Sequence, residues 1–281
     1  MSDKRQVAGD RMAAARKSRA CHVSPVTRHI PGFTLVEMLV VISILGILAA
    51  LTVPALKNLG KANAAMSASR QLLDGVGHAR QLAIANHTTV YMVFVPTNFW
   101  VGMSSAQRAM PVATNLCDQQ LSGYTFVAYG TVGDQPGQHA WHYLGLWQAL
   151  PEGSFIPLQK FALPSNQCYT NNNYPVYGFN TNNTIPFPTE TAASGVLLPC
   201  IAFNYLGQLS TDGQNPDSRD EYIPLARGSV FPAMDPSSKV LQFSSPIVSE
   251  TPPGNSASSA YNIVDVDPLT GRATLLFQKV Q

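Results

Sequence analysis

The hydrophobic pattern changes period twice along this chain. From Phe33 to Val53 nearly every position is apolar, with Glu37 the one carboxylate in the run and Pro54 behind it. A stretch of about 20 such residues predicts a membrane-spanning helix. After Pro54 the pattern turns amphipathic. Leu59, Ala62, Met66, Ser69, Leu73, Val76 and Ala83 recur at mostly helical spacing, predicting that the helix continues over 55–86 with this stripe packed on the chain's own domain. Phe33 to Asn86 as one helix would be roughly 80 Å long at 1.5 Å per residue. Pro54 is expected to kink it, and Gly75 and Gly77 each to weaken it by about 1 kcal/mol.

From His87 onward the signal is that of strands. Thr88–Val95 is β-branched and aromatic and stops at Pro96. Further strands are predicted over Phe99–Met103, Gly123–Val132, Ser154–Pro157 and Glu221–Phe231, and in the apolar segment Val196–Leu209. Tyr143–Gly153 reads as a short helix or turn, and 164–195, rich in Asn, Thr and Pro, as a long exposed loop holding Cys168. Ser210–Asn215 is a turn. Tyr261–Asp267, the turn Pro268–Arg272 and Ala273–Val280 form a closing hairpin. The expected class is α+β: a long N-terminal helix packed on an antiparallel β domain over 87–281.

Charge refines the picture at the N-terminus. The chain of 281 residues carries +2, yet residues 1–32 hold seven Lys/Arg against two Asp, net +5, which leaves the remainder at −3. The basic excess therefore belongs to a leader, not to a folded surface that would contact phosphates. By the positive-inside rule the N-terminus stays cytoplasmic and everything after Pro54 is exported. A secretory signal would have a shorter apolar core and small residues after it. Here the core is too long, it carries Glu37, and the candidate processing residue, Gly32, precedes it.

The segment Gly32-Phe33-Thr34-Leu35-Val36-Glu37 resembles the prepilin cleavage and methylation motif of type IV pilins and type II secretion pseudopilins, and Gly46 and Pro54 also sit where that family has a glycine and a proline. The resemblance implies a pilin-like fold, with the leader 1–32 cut between Gly32 and Phe33 by prepilin peptidase and Phe33 then N-methylated. It implies single-pass residence in the inner membrane, with 33–54 in the lipid and the 87–281 domain in the periplasm. Assembly into a filament with other pseudopilins or pilins on an inner-membrane platform would follow. Cleavage creates an amine at Phe33, and Glu37, one turn away, lacks another partner in the span. A neighbouring subunit's amine could neutralise it and so set axial register. Ala79-Arg80, Ala83 and Asn86, together with Ile201–Gly207 and Thr270-Gly271-Arg272, are similar to the minor pseudopilin H and FimT-like group.

Little in the exported part suggests chemistry of its own. His139 and His142 are three apart, but no acidic residue at ligand spacing accompanies them. No nucleophile elbow, P-loop or dinucleotide fingerprint is present, so neither an enzyme nor a cofactor is expected. The oxygen-rich loop Asp212, Asn215, Asp217, Asp220 and Glu221 lacks EF-hand spacing. Some pseudopilins bind calcium near the C-terminus, so Asp212, Asp217 and Asp220 are the candidates for calcium, though no metal is assigned. Asp265 with Asp267 is a second acidic pair. Cys117, Cys168 and Cys200 remain once the leader is removed, so one disulfide and one free thiol are possible with the pairing open. Three functions compete: a minor pseudopilin of a type II secretion pseudopilus, a minor type IV pilin for adhesion or DNA uptake, and a tethered enzyme. The −3 balance, with only Arg272 and Lys279 close together near the end, speaks against nucleic acid as a partner. The missing catalytic residues speak against the enzyme.

Overall fold

The computed structural model describes residues 34–131, 134, 139–258 and 262–277, with side chains along the helix outside 51–63. The leader 1–32, Phe33, the C-terminal residues beyond Phe277 and the side chains of the stripe positions Leu59 and Ala62 lie outside what is described. The chain divides into a unit ending at Leu51 and a unit from Thr52 onward. One helix, α1 (Leu35–Asn86), supplies the backbone of both and runs unbroken through Pro54, Gly75 and Gly77.

In the first unit the described side chains of α1 are exposed on every side, among them Leu35, Ile42 and Ile47. Among the described residues, however, no helix is long and apolar enough to cross a membrane. The expected span of 33–54 begins one residue before the described chain and has no described side chain beyond Ala50.

The second unit is antiparallel throughout. After α1 come β1 (Val90–Phe94), α2 (Ser105–Arg108), α3 (Pro111–Leu116), β2 (Gly123–Tyr129), β3 (Trp141–Tyr143), β4 (Gln148–Ala149), β5 (Ser154–Phe155) and α4 (Leu158–Ala162). The chain continues with β6 (Cys168–Asn171), β7 (Tyr174–Tyr177), β8 (Thr184–Pro186), β9 (Gly195–Leu197), β10 (Cys200–Phe203), β11 (Glu221–Phe231), β12 (Ile247–Glu250), α5 (Asn255–Ser258), β13 (Asn262–Val266) and β14 (Ala273–Phe277). One sheet has the order β10-β1-β2-β3, with β4 also on β2. The other runs β12-β11-β13-β14, with β5 also on β11.

Both sheets pack on the same face of α1. That face is Ala65, Ala68, Leu72, Val76, Ala79 and Ala83, at helical spacing and nearly all fully buried. From Ala68 to Ala83 they share one core with Met92, Phe94 and Phe126 of the first sheet and with Ile223, Leu225, Val264 and Val266 of the second. The expected stripe is therefore rotated: Ser69, Val76 and Ala83 are inside, but Met66 is exposed and Leu72, not Leu73, fills the centre. Small side chains let the helix backbone approach the sheet while strand residues fill the space. Gly75 is one of them, because a Cβ there would lie 3.2 Å from Met92 Cε and 3.3 Å from Tyr124 Cε2. Polar pins fix the contact: Asn262 Nδ2 donates to Ser69 Oγ at 2.7 Å, and Arg80 Nε to the Thr270 carbonyl at 2.7 Å.

The outer face of the first sheet carries a second core, and two expectations are overturned here while a third is met only in part. The segment 164–195 is no exposed loop: it folds as the hairpins β6–β7 and β8–β9 and buries Ile185 and Phe187 with Val93 and Val127. Its tight turn uses Asn172 and Asn173, both at positive φ (53° and 68°), the backbone that asparagine tolerates in two-residue hairpin loops. Phe99–Met103 is a run of turns, with Val101 N–H donating to Asn98 O and Met103 N–H to Trp100 O. A strand would have aligned Phe99, Val101 and Met103 on one face, whereas Val101 is exposed and the other two are buried. Of the short helix or turn expected over Tyr143–Gly153, the turn forms at Glu152 and Gly153 and leads into β5; before it the chain runs back along β2, pairing Tyr143 with Val127 and Gln148 with Tyr124.

The two helical glycines should respond differently to substitution. Gly77 has open space where a Cβ would go, so Gly77→Ala should raise stability in urea unfolding by about 0.5–1 kcal/mol. Gly75→Ala should give no such gain, because the new methyl displaces Met92 or Tyr124.

Candidate functional site

The described chain begins at Thr34, one residue past the expected cleavage point between Gly32 and Phe33, which lies outside it. Thr34 and Glu37 form a reciprocal cap on α1. The Glu37 backbone N–H donates to Thr34 Oγ1 at 3.2 Å, while Glu37 Oε2 accepts from Thr34 N–H and Oγ1, both at 3.4 Å. The first helical hydrogen bond follows, Met38 N–H to Thr34 O at 3.1 Å. This is the Thr-x-x-Glu capping box: two otherwise orphaned amides at a helix start are satisfied by two side chains. The carboxylate also sits at the positive end of the helix dipole. The expectation that Glu37 has no other partner in its segment is thus corrected, since Thr34 partners it within the chain. The spacing Thr34–Glu37 was the signal that could have revealed this.

Residues 28–53 match the family model for the prokaryotic N-terminal methylation motif. The chain carries a prepilin-type N-terminus. This supports a type IV prepilin-like protein, the class processed by prepilin peptidase, and leaves open whether pilin or pseudopilin. The match covers the motif and not the β domain. Neither curated proteins nor solved structures yield a match to the chain.

Two glycine turns of the β domain meet against Arg80 of α1. A Cβ on Gly207 (φ 78°) would lie 3.0 Å from Arg80 Cγ, and one on Gly271 (φ 61°) 2.0 Å from the Gly207 carbonyl oxygen. Two tight turns therefore stack beneath Arg80, which holds the second through the Thr270 carbonyl. Here glycine is required by the close approach as well as by φ.

The acidic loop is occupied with its own backbone. Asp212 Oδ1 accepts from Ser210 Oγ and from the amides of Gln214 and Asn215 at 2.8–3.0 Å. The Gln214 amide first, then the Asn215 side chain and amide, hold its carboxyl well below the usual range. Asp217 accepts from Thr211 N–H and Oγ1, both at 2.9 Å, and Asp220 from the Tyr222 hydroxyl. Among the described residues no group of three or more His, Cys, Asp or Glu could hold a metal ion.

His139 and His142 do not share a helix. His142, on β3, has Nε2 3.2 Å from both Asp134 carboxylate oxygens and Nδ1 3.9 Å from Glu190, acidic residues remote enough in sequence to escape a spacing argument. His139 packs against Tyr129, with ring centroids 5.5 Å apart. The three described cysteines are free: Cys168 is exposed, Cys117 and Cys200 buried. Burial pushes the Cys117 thiol up to about 11 and Cys200 up to about 12, so neither is an activated nucleophile.

The sequence reading missed a buried ion pair. Lys160, on α4 and fully buried, donates to Glu221 at the start of β11 and to the Tyr177 carbonyl at 2.7 Å, with its ammonium 4.6 Å from the centre of the Phe179 ring. Burial pushes the lysine down and the glutamate up, each opposed by the other's charge. Removing one partner strands the other, so Lys160→Met should cost about 3–5 kcal/mol in urea unfolding. Combining it with Glu221→Leu should recover most of that loss.

Asp265 lies on β13 beside Asp220 and Asp267. Burial first, then those two charges, raise its carboxyl from 3.8 to about 6, and its Oδ1 is buried without a hydrogen-bond partner. With the folded value above the unfolded one, the folded state holds the proton more tightly, so stability is lost as pH rises through roughly 4 to 6. Asp265→Asn should therefore stabilise the chain by on the order of 1–2 kcal/mol at pH 7.5, allowing for partial exposure. Thermal melts should show this advantage closing as pH falls toward 4.

Proposed function

We propose that the chain is a minor pseudopilin: a structural subunit of a type II secretion pseudopilus, processed by prepilin peptidase and assembled through α1. The observation that carries this reading is the methylation-motif match over residues 28–53, joined to the Thr34–Glu37 arrangement at the start of the helix. In this reading the leader 1–32 is removed, Phe33 becomes the methylated N-terminus, and 33–54 resides in the inner membrane with the β domain in the periplasm. The stretch 35–50 of α1, apolar and exposed on every side, supports such a placement, because that surface needs lipid or other helices around it.

Function then lies in assembly and not in catalysis. When filament helices bundle, the Phe33 amine of one subunit and Glu37 of its neighbour neutralise one another. Glu37 can make that exchange because its bonds to Thr34 are long and exposed, and little is lost on giving them up. The partners are prepilin peptidase, other pseudopilins, the inner-membrane assembly platform and membrane lipid. A minor type IV pilin is the alternative assembly, and it shares the processing chemistry.

Mass spectrometry of protein recovered from cells with and without prepilin peptidase tests the reading. The expected mature N-terminus is N-methylated Phe33, formed only with the peptidase, and Gly32→Leu should leave the precursor uncut. Glu37→Gln should still be cut. An unpaired charge costs a few kcal/mol at the centre of an apolar helix and less near its end; at about 1.4 kcal/mol, which is tenfold, its incorporation into filaments should fall about tenfold. Recovery of the subunit with pseudopilus rather than pilus proteins after cross-linking supports the pseudopilin assignment, and the reverse assigns it to the pilus.

A further inference from the structure

The sequence offers α1 two places to begin. It begins at Leu35, with Met38 N–H donating to Thr34 O at 3.1 Å as the first turn closes. Thr34 is thus the cap: its carbonyl accepts the first helical bond, and its hydroxyl accepts from the Glu37 amide at 3.2 Å. Between Thr27 and Ser43 it is the one Ser, Thr, Asn or Asp in the sequence. The rival is Gly32, since glycine caps a helix about as well as threonine does. The residue three places on decides between them. After Thr34 that residue is Glu37, whose carboxylate returns to the Thr34 amide and hydroxyl. After Gly32 it is Leu35, which has no polar group to return.

The outcome bears on the bond expected to be cut. Hydrolysis adds water across the Gly32–Phe33 amide, oxygen to the Gly32 carbonyl carbon and hydrogen to the Phe33 nitrogen. During the attack negative charge builds on the Gly32 carbonyl oxygen, where the enzyme has to supply donors. A helix begun from Gly32 would take that same oxygen as the acceptor of its first bond, from the Val36 amide. The carbonyl would then be committed to the helix when the peptidase needs it. A helix begun at Leu35 uses the Thr34 carbonyl instead.

We infer that Thr34 is a positioning residue for processing. With Glu37 it holds the start of α1 downstream of the Gly32–Phe33 bond, and so leaves the Gly32 carbonyl to the peptidase. This role rests on the reading that prepilin peptidase cuts here. It gives the Thr34–Glu37 box a task in the precursor, before Glu37 meets any neighbour in a filament.

The test is timed cleavage of the full chain in detergent by membranes that contain prepilin peptidase, with mass spectrometry of the new N-terminus. Thr34→Val keeps the shape of the side chain and removes the acceptor, so it should be cut about fivefold more slowly. Thr34→Ser and Thr34→Asn differ in shape but cap at least as well, and should be cut at least as fast as the parent. Glu37→Gln keeps the box without the charge and should match the parent. Melting of the β domain should be the same in all of them, because the described hydrogen bonds of Thr34 stay within the first turn of α1. Parental cleavage of Thr34→Val would overturn the inference. So would Thr34→Asn as slow as Thr34→Val beside a fast Thr34→Ser, since the peptidase would then be reading the hydroxyl itself. A parent left uncut at Gly32–Phe33 would remove the processing reading, and this role with it.

Discussion

The close approach of two sheets to one helix face is the constraint on which the second unit depends. Alanines at 65, 68, 79 and 83 bury little area of their own. Their contribution is distance: with Gly75 they bring the backbone of α1 near enough for Met92, Phe94 and Phe126 to fill the interior from the sheet side. Large residues on the helix would separate the layers and leave Leu225 and Val264 of the other sheet without a surface. The polar pins follow from the same geometry. Ser69 can accept from Asn262, and Arg80 can reach the Thr270 carbonyl, only because the helix lies this close.

The first turn of α1 answers a different demand. A helix start leaves amides without partners, and in an apolar segment no nearby side chain except Thr34 and Glu37 can supply them with oxygen. The capping box resolves this locally in the uncut chain. Cleavage after Gly32 would add a positive amine one residue upstream of Thr34, and the carboxylate would then have two claims on it. The hydrogen bonds to Thr34 are long and solvent-exposed, whereas an ion pair among packed apolar helices is shielded from water. In the proposed filament the second claim prevails, so one side chain serves the lone subunit and the assembly in turn.

Much of this was readable wherever a single period governed a long stretch. The 52-residue helix, β1, β11 and the closing hairpin were all anticipated, the last from the turn residues Pro268–Arg272. Legibility failed where burial came from isolated residues. Ile185 and Phe187 sit among Asn, Thr and Pro without a sustained pattern, so their segment read as loop although it covers the outer face of β1 and β2. Spacing of three or four admits Met66 and Leu73 as readily as Ala65 and Leu72, and only the close approach of the sheets decides between them. Lys160 and Glu221, 61 residues apart, meet only through the fold, and a lysine at 0% exposure runs against every compositional expectation.

The restriction of family similarity to residues 28–53 has a physical reading. That stretch carries requirements tied to specific atoms: a glycine bond to cut, an amine to methylate, a carboxylate one turn on, and an uninterrupted apolar helix. Few sequences meet them. The β domain asks for much less, namely alternating strands, turn residues at the right offsets and small residues where α1 lies close. Such demands are met by a great many unrelated sequences, since cores accept wide substitution as long as volume and pattern are kept. The N-terminus therefore marks the chain as type IV prepilin-like. What sets the subunit apart has to lie in features the pattern does not force, and the buried Lys160–Glu221 pair is a feature of that kind.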